Sequence, residues 1–258
     1  MTGPVPLSYD VAGDGPALLL LHSSVCDRRM WDPQWAPLAD AGHRVVRCDF
    51  RGFGDTPAAT SPHRDADDVL ALLDALGIER AALVASSYGG RVALEAAARR
   101  PERVTAMALL CSGMPGHRPS AELAAFDERE EALLDAGDLA GAVELNVATW
   151  LGPEADEATR AKVRRMQRHA FEVQLAAGDV PEAPEPVLDL AAIHGPVLAV
   201  SGTHDLPDFR RIAARLASLL PHARHLELPW AGHLPGLERP AEVTALLTDF
   251  LHRTAPTA

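Results

Sequence analysis

Basic side chains are scarce in this sequence of 258 residues. Lysines and arginines number 24 against 36 aspartates and glutamates, for a formal net charge of −12 at pH 7. Nucleic acid is bound through basic surfaces, so this balance argues against nucleic acid as a partner. It does not restrict the choice of a small-molecule substrate.

Long apolar runs and paired cysteines are missing as well. The apolar run Ala17 to Leu21 is far too short to span a bilayer, and no basic segment leads into an apolar one at the N-terminus. We therefore expect neither a membrane span nor a secretory signal. Cys26, Cys48 and Cys111 are odd in number and widely spaced, which fits neither a disulfide framework nor a metal site. A reducing cytoplasm is the expected location.

The sequence does contain a regular alternation of strand-like and helical segments. Hydrophobic residues make up 47% and charged residues 23%, as in a soluble globular protein, and the length suits one large domain. Such alternation predicts an α/β fold with a mostly parallel sheet covered by helices on both faces. After a short hairpin over Val5 to Gly13, the predicted strands are Ala17–Leu21, His43–Cys48, Ala81–Ser86, Val104–Cys111, Pro196–Ser201 and Ala223–Leu228. The predicted helices are Met30–Ala41, Asp65–Leu76, the segment from the serine turn to Arg99, Phe209–Leu219 and Pro240–Arg253.

The alternation breaks between Met114 and Pro186. No clear strand pattern is present there, and amphipathic helices are predicted at roughly Ala121–Ala136, Leu139–Leu151 and Glu154–Ala177, followed by a proline-rich run from Pro181. An all-helical insertion after a sheet strand is typical of a cap over a site at the carboxyl ends of the strands. We therefore divide the chain into core residues 1–113, a helical cap of residues 114–186 and core residues 187–258. A purely decorative helical insertion is the alternative.

The stretch Leu83 to Gly90, LVASSYGG, has the pattern of a strand that turns sharply into a helix with a serine at the apex. Such a turn needs very small residues two positions before and after the apex, here Ala85 and Gly89, although glycine is commoner than alanine at the first position. This interpretation makes Ser87 a nucleophile. The alternative is an ordinary turn in which the serine caps the helix.

Two further residues follow later strands of the predicted sheet. Asp205 comes just after the strand that ends at Ser201, and His233 lies in the loop after the last strand, at the same sheet edge as Ser87. The chain order serine, acid, histidine is the one that accompanies a strand–turn–serine elbow. A histidine can remove the proton of a serine hydroxyl, and a carboxylate can orient the histidine. We therefore predict a catalytic triad of these three residues.

Each member of the triad has a structural alternative. Asp205 is also a good turn residue, and Asp208, three residues later, is a weaker rival for the acid. His233 is one of 11 histidines, among which we interpret His204 and His222 as ordinary loop residues. The conjunction of three residues in the right order at the strand ends favours the triad.

An oxyanion needs two hydrogen-bond donors for strong stabilisation. The backbone N–H of Tyr88 follows the nucleophile, and the turn after the first buried strand supplies the second candidate, the N–H of Ser24. His22 is expected to hold that turn by hydrogen bonding rather than to take part in the chemistry.

Together these segments resemble the α/β-hydrolase superfamily over nearly the whole chain. The matching segments are LLLLHSS, MWDPQ, CDFRGFGDTP, LVASSYGG, PVLAVSGTHD and AGHLPGLERP. The chain is most similar to small esterases, enol-lactonases and cofactor-free perhydrolases with a helical cap between the sixth and seventh strands. The resemblance implies Ser87, Asp205 and His233 as the triad, with Ser24 and Tyr88 as oxyanion donors. It implies neither a metal nor an organic cofactor.

One departure from the family pattern concerns the oxyanion turn. His22-Ser23 stands where many members have His-Gly, although lactonase-like members also carry a serine after the strand. The loop Asp49 to Gly54 is a family feature that we assign to structure.

The expected activity is hydrolysis of a small, fairly apolar carboxylic ester or lactone through an acyl-enzyme on Ser87. Side chains near the motifs are the candidates for substrate contact: Val25, Cys26, Met30, Trp31, Tyr88, Met114, Trp150 and Leu234. Any of these is also a good core residue, and a small apolar filler is the favoured role of the cysteine. The same triad supports carbon–carbon bond hydrolysis, perhydrolysis and acyl transfer, and a ligand-binding receptor with a retained triad is a further alternative.

Overall fold

A seven-stranded sheet forms the centre of the molecule in the computed structural model, which describes residues 7–178, 180, 183–184 and 187–254. The strands are β1 Tyr9–Ala12, β2 Ala17–Leu21, β3 Arg44–Cys48, β4 Ala81–Ser86, β5 Val104–Leu110, β6 Val197–Gly202 and β7 Ala223–Leu228. Their order across the sheet is β1-β3-β2-β4-β5-β6-β7. Every neighbouring pair is parallel except β1 with β3. The predicted α/β-hydrolase fold with a mostly parallel sheet is confirmed.

Helices flank this sheet and alternate with its strands. They are α1 Asp32–Asp40, α2 Asp65–Ala75, α3 Tyr88–Arg99, α4 Ala121–Asp135, α5 Leu139–Trp150, α6 Glu157–Ala177, α7 Pro207–Leu219, α8 Pro235–Glu238 and α9 Pro240–Thr254. Helix α1 packs on α9, α2 packs on α3, and α7 packs on β6 and β7. The middle strands are consequently buried on both faces, which explains why Leu18 to Leu21 form a continuous apolar run without exposure to solvent.

The predicted hairpin over Val5 to Gly13 is not formed by the described residues. Residues 5 and 6 lie outside the description, and strand β1 pairs antiparallel with β3, from Tyr9 opposite Cys48 to Ala12 opposite Val45. The following turn, with Gly13 and Gly15 at φ values of 70° and 114°, leads into β2. Because β3 lies between β1 and β2 in the sheet, this turn joins two strands that are not neighbours.

Three helices separate β5 from β6, and no strand lies between these two in the described part of the chain. These are α4, α5 and α6, close to the predicted bounds. Helix α6 begins at Glu157 rather than Glu154, because the Asp156 carboxylate accepts a hydrogen bond from the Thr159 N–H at 2.8 Å and caps the helix there. The division into core and cap stays a prediction, and the prolines at 181 and 186 lie outside the described residues.

Polar contacts fasten these three helices to the core. The buried Asp208, on α7, accepts hydrogen bonds from His117 Nε2 at 2.7 Å and from the Ser120 N–H at 2.9 Å, just before α4 begins. On α6, Lys162 forms an ion pair with Asp32 at 2.8 Å. The insertion is thus held at its start and along its last helix.

No helix of the described residues combines the length and the apolar character needed to cross a bilayer.

Replacement of Gly89 by alanine is expected to lower the free energy of unfolding by about 2 kcal/mol or more. A Cβ at this position would lie 2.6 Å from the carbonyl oxygens of both Leu21 and His22, which are backbone atoms with little freedom to move. Gly113→Ala is the matched control, because the nearest atom to its Cβ is the Ser87 carbonyl oxygen at 3.4 Å. Urea denaturation followed by circular dichroism measures both variants. Equal stability of the two would contradict the prediction.

Candidate active site

Ser87 occupies the apex of a sharp turn between β4 and α3. Its backbone has φ 52° and ψ −115°, a conformation that costs on the order of 1–3 kcal/mol for a residue with a side chain. The Ser87 N–H donates to the Leu110 carbonyl at 3.0 Å, and the Gly113 N–H donates to the Ser87 carbonyl at 2.9 Å. The side chain makes no capping hydrogen bond to α3, which disfavours the alternative of a simple helix cap. The turn therefore presents the hydroxyl away from the helix backbone.

Two glycines make this turn possible. Gly89 lies against the end of β2, and its N–H donates to the His22 carbonyl at 3.0 Å. At Gly90 a Cβ would overlap the Ser112 hydroxyl. Gly89, which the motif predicted to be small, and Gly90 are thus both needed for close packing of α3 against the sheet.

The side chains of Ser87, His233 and Asp205 form one hydrogen-bonded chain. His233 Nε2 lies 2.7 Å from Ser87 Oγ, and His233 Nδ1 lies 2.8 Å from Asp205 Oδ2. The second carboxylate oxygen of Asp205 accepts a hydrogen bond from the Leu206 N–H at 2.7 Å. All three triad residues are less than one tenth exposed. The structure brings together the three residues that the sequence selected, with the histidine between the serine and the aspartate.

The rival acid, Asp208, has other partners. Its carboxylate faces His117 and Ser120. Burial alone would raise the pKa of Asp208, but the hydrogen bonds from His117 and Ser120 hold this pKa below its ordinary value. Asp208 is therefore a structural anchor for the helical insertion.

The imidazole of His233 lies between two aromatic rings. The ring centroids of Trp150 and Phe209 are 4.6 Å and 4.2 Å from that of His233. The backbone of the histidine is fixed as well, because its N–H donates to the Trp150 carbonyl at 3.0 Å. The end of α5 thus contributes both a ring and a backbone acceptor to the position of His233.

Glu238 holds the loop that carries His233, and the sequence analysis did not identify it. Its carboxylate accepts hydrogen bonds from the N–H groups of Gly232 at 2.8 Å and Leu234 at 3.1 Å, on either side of the histidine. Burial raises the pKa of Glu238, and the backbone donors partly oppose this effect. The available sequence signal was the segment AGHLPGLERP, in which this glutamate follows the histidine at five residues' distance.

The candidate oxyanion donors lie at the mouth of the same site. Ser24 and Tyr88 both line the cavity that contains Ser87 and His233. None of the described residues accepts a hydrogen bond from the Ser24 N–H. The Tyr88 hydroxyl donates to Asp65 Oδ2 at 2.6 Å, and its ring packs edge-on against Phe50. Side-chain contacts therefore hold Tyr88 beside the nucleophile.

His22 makes two hydrogen bonds within the turn after β2. Its Nδ1 lies 2.8 Å from the Ser23 carbonyl, and its Nε2 accepts from the Phe50 N–H at 3.0 Å. This pairing requires a neutral ring with the proton on Nδ1. Burial of the ring lowers the pKa of His22 and so favours the neutral form. His22 holds the turn in place and does not contact Ser87.

The loop from Asp49 to Gly54 also serves structure. Asp49 Oδ1 accepts a hydrogen bond from the Arg28 N–H at 2.7 Å, and its Oδ2 accepts from the Asp55 N–H at 2.9 Å and pairs with the Arg28 guanidinium. A Cβ at Gly54 would overlap this carboxylate.

A cavity of about 410 Å³ opens on Ser87 and His233. Aromatic rings form much of its wall: Phe53, Tyr88, Phe126, Trp150, Phe171 and Phe209. Four of these rings lie on α4, α5, α6 and α7, one on each helix: Phe126, Trp150, Phe171 and Phe209. The cavity therefore lies between the catalytic edge of the sheet and the helical insertion.

The same cavity has polar side chains on the wall formed by the insertion. Glu130, Asn146 and Gln167 come from α4, α5 and α6, one from each helix. Burial raises the pKa of Glu130, which a hydrogen bond from Asn146 partly opposes. Neither periodicity nor motif identified these three residues, because polar residues on cap helices usually face solvent.

Of the side chains expected to contact substrate, Val25, Tyr88 and Trp150 line the cavity. The other five are buried in the hydrophobic core and are not among the residues that line this cavity: Cys26, Met30, Trp31, Met114 and Leu234. This correction has a physical reason, since closeness to a motif along the chain does not fix the direction of a side chain. Met30, for example, turns inward, and its sulfur accepts a hydrogen bond from the Ser23 N–H at 3.3 Å. Burial raises the pKa of the Cys26 thiol well above its ordinary value, as expected for an inert filler.

Within the described part of the chain, two groups of side chains have the spacing of metal ligands. The first consists of Cys111, Asp205 and His233, whose ligand atoms lie within 4.8 Å of one another. The carboxylate and the imidazole already share a hydrogen bond, and burial raises the pKa of the Cys111 thiol. The second group contains Asp68, whose two oxygens are held by Arg51 at 2.6 and 2.9 Å. The first group is therefore better suited to acid–base chemistry than to metal binding. In the second group, Asp68 already forms an ion pair with Arg51.

Known proteins resemble this chain over most of its length. A sequence model of the alpha/beta hydrolase family matches residues 18–246. Among curated proteins, the provisionally assigned carbamate hydrolase RutD of Variovorax paradoxus (strain S110) is 33% identical over 269 aligned positions, which cover 97% of this chain and 98% of that protein.

Solved structures of an enol-lactonase and an esterase also resemble this chain. The enol-lactonase from Burkholderia xenovorans LB400 superimposes with a TM-score of 0.78 at 28% identity, covering 95% of this chain and 96% of that one. A thermophilic esterase from Thermogutta terrifontis gives a TM-score of 0.81 at 26% identity, covering 96% and 93%. The resemblance extends over the core and the helical insertion alike.

His22 is expected to remain neutral, with its proton on Nδ1, throughout the range in which His63 titrates. The pKa of His22 is lowered by burial, whereas a hydrogen bond from His63 to Asp65 raises the pKa of His63 above 6.5. Long-range ¹H–¹⁵N correlation spectra of the imidazoles between pH 5 and 8 measure both residues. A His22 that protonates before His63 on acidification would show that the turn after β2 is not held in this way.

Proposed function

The chain belongs to the alpha/beta hydrolase family, and on that basis we propose that it is a serine hydrolase acting on a small, fairly apolar carboxylic ester or lactone. One observation carries the proposal: Ser87 Oγ, His233 Nε2 and the Asp205 carboxylate are joined by hydrogen bonds of 2.7 and 2.8 Å at the base of a cavity. This is the constellation that activates a serine for acyl transfer.

The first step is attack by Ser87 on the substrate carbonyl. His233 Nε2 takes the hydroxyl proton as the new carbon–oxygen bond forms, and the resulting imidazolium is stabilised by Asp205 at Nδ1. The same imidazolium then gives the proton to the leaving alcohol, or to the ring oxygen of a lactone. An acyl-enzyme on Ser87 remains.

The N–H groups of Ser24 and Tyr88 are the proposed oxyanion donors. Both residues border the cavity beside Ser87, and the positive end of the α3 dipole points toward the serine turn. Negative charge that develops on the carbonyl oxygen during attack would be stabilised there.

Deacylation uses the same groups in the same order. A water molecule gives a proton to His233 and attacks the acyl carbon, and His233 returns the proton to Ser87 Oγ as the ester bond breaks. His233 therefore mediates every proton transfer in this cycle.

The substrate class follows from the cavity. Its aromatic rings, including Phe126, Trp150 and Phe209, favour an apolar acyl or alcohol group, and its volume of about 410 Å³ suits a small molecule. The esterase and enol-lactonase among the structural neighbours support this choice. The cytoplasm is the proposed location, since Cys26, Cys48 and Cys111 are all buried free thiols.

Ser87→Ala is expected to reduce kcat/KM for short-chain p-nitrophenyl esters by at least about a thousandfold, because the nucleophile is lost while the cavity is kept. Release of p-nitrophenol from a series of acyl lengths, together with a small lactone panel, measures the effect. The chain-length profile of the wild type also reports how much of the cavity the acyl group fills.

A serine-reactive phosphonate provides an independent control, with intact mass spectrometry as the measurement. Covalent labelling of the wild type but not of Ser87→Ala supports an activated serine even for substrates outside the panel. If the wild type neither turns over any of these substrates nor is labelled by the phosphonate, the hydrolase proposal is overturned.

Asp205→Asn is expected to lower kcat by about a thousandfold or more, because the amide cannot stabilise the imidazolium of His233. Asp208→Asn is the matched control: the same chemical change three residues later, on a side chain that binds His117 and Ser120 instead. Its kcat for the same ester should stay within about tenfold of the wild type, since it lies outside the proton path. Similar losses in both variants would contradict the assignment of the acid.

A further inference from the structure

Two buried side chains on α5 connect the interior of the helical insertion with the proposed base. The indole of Trp150 packs against the His233 imidazole, with ring centroids 4.6 Å apart and 44° between the planes. Asn146 lies about one turn earlier on the same helix, and its Oδ1 accepts a hydrogen bond from Trp150 Nε1 at 2.9 Å. Asn146 and Trp150 are 1% and 6% exposed, so water competes little for this hydrogen bond.

The amide of Asn146 is satisfied in one orientation only. Its Nδ2 donates to the Ala142 carbonyl at 3.0 Å and to the carboxylate of Glu130, and both partners are acceptors. The indole N–H is a donor only, so it must face Oδ1. A flipped amide would lose all of these hydrogen bonds. The partners therefore orient the amide, and the amide in turn fixes the rotation of the indole.

Two aromatic rings confine the imidazole of His233. Trp150 contacts it from α5, and Phe209 contacts it from α7 with centroids 4.2 Å apart. The hydrogen bonds from His233 to Ser87 at 2.7 Å and to Asp205 at 2.8 Å depend on the present plane of this ring. An indole that turned about its own side-chain bonds would leave one side of the imidazole without support.

The indole also matters for charge. In the proposed reaction His233 becomes an imidazolium when Ser87 gives up its proton, and a tryptophan ring attracts a cation that lies within about 6 Å of its centroid. The imidazole centroid, at 4.6 Å, meets this condition. An interaction that is stronger with the imidazolium than with the neutral ring stabilises the transition state more than the bound substrate, and so raises kcat.

We propose that Asn146 is a positioning residue for the base: it holds the Trp150 indole where that ring keeps the His233 imidazole aligned and stabilises its cation. The inference rests on the proposed function, because it concerns the base of that reaction. Within the described part of the chain, the side-chain hydrogen bonds of Asn146 go to Ala142, Glu130 and Trp150, so this residue acts on the base through the indole.

A double-mutant cycle measures the coupling between the amide and the indole. Asn146→Leu keeps the size of the side chain and removes the amide, whereas Trp150→Phe keeps an aromatic ring and removes the N–H. For a short-chain p-nitrophenyl ester, Asn146→Leu should lower kcat by about tenfold, whichever step is slow, because acylation and deacylation both pass through the imidazolium. With Trp150→Phe already present, adding Asn146→Leu should lower kcat by less than about twofold, since no N–H remains to be held.

Gln167→Met is the matched control for this cycle. Gln167 is another buried amide of the insertion, on α6, and its Oε1 has no hydrogen-bond partner among the described residues. Whatever its effect on kcat, that effect should be the same with and without Trp150→Phe, because this amide does not hold the indole.

The Nδ1–H proton of His233 reports the position of the ring directly. In protein labelled with ¹⁵N-histidine, this proton is shared with Asp205 and should give a low-field ¹H signal, while the Nδ1–H of His22, bound to the Ser23 carbonyl, is the internal reference. Asn146→Leu should broaden or abolish the His233 signal through faster exchange with water and leave the His22 signal sharp. Trp150→Phe removes the same hydrogen bond from its other end and should change the spectrum in the same way.

Non-additive effects of Asn146→Leu and Trp150→Phe on kcat, together with a weakened His233 signal beside a sharp His22 signal, support the positioning role. Additive effects on kcat, or a sharp His233 signal in both variants, would overturn it while leaving the hydrolase proposal intact. If no ester is turned over, the proposed function fails and the spectrum alone decides. The His233 signal must then weaken in these variants while the His22 signal stays sharp, or the positioning role is rejected.

Discussion

The positive φ of Ser87 is the constraint on which the rest of the site depends. A residue with a side chain does not adopt this conformation unless the surroundings enforce it, and here the backbone of β5 does so. The Ser87 N–H is bound to the Leu110 carbonyl, and the Ser87 carbonyl is bound to the Gly113 N–H. Gly89 then allows the next turn of chain to lie against the end of β2. The nucleophile is thus clamped between two neighbouring strands, and a parallel sheet supplies both.

The base is held by a different kind of contact. His233 lies in a loop, and loops do not fix a side chain unless other groups do. Glu238 binds the N–H groups on either side of the histidine, and the end of α5 adds a carbonyl and an indole ring from Trp150. Because that indole is fixed by Asn146, the position of the base depends on the helical insertion as well as on the core.

Ser87 is held by neighbouring backbone and His233 by distant side chains, and this difference explains what the sequence could predict. The strand pattern and the small residues around Ser87 reflect local backbone requirements, which leave a signature in a short stretch of sequence. The order of Ser87, Asp205 and His233 follows instead from the order of the strands along the chain. The sequence did not predict the pairing of β1 with β3, because this pairing is a long-range choice and a glycine turn permits more than one partner. The substrate contacts were partly misplaced for a related reason: Met30 and Leu234 are near the motifs along the chain but face the core. Glu130 and Gln167 could not be found, since a polar residue on an amphipathic helix is normally assigned to the solvent side.

The helical insertion therefore has two roles in this protein: it forms part of the cavity wall, and it helps to hold His233. Ser87 and Asp205, the proposed nucleophile and acid, lie in the turns that follow β4 and β6 at the edge of the sheet. The wall of the cavity comes from α4, α5 and α6, and its polar groups lead through Asn146 and Trp150 to the face of His233. A substitution among those polar groups would change both what the cavity accepts and how the base is held.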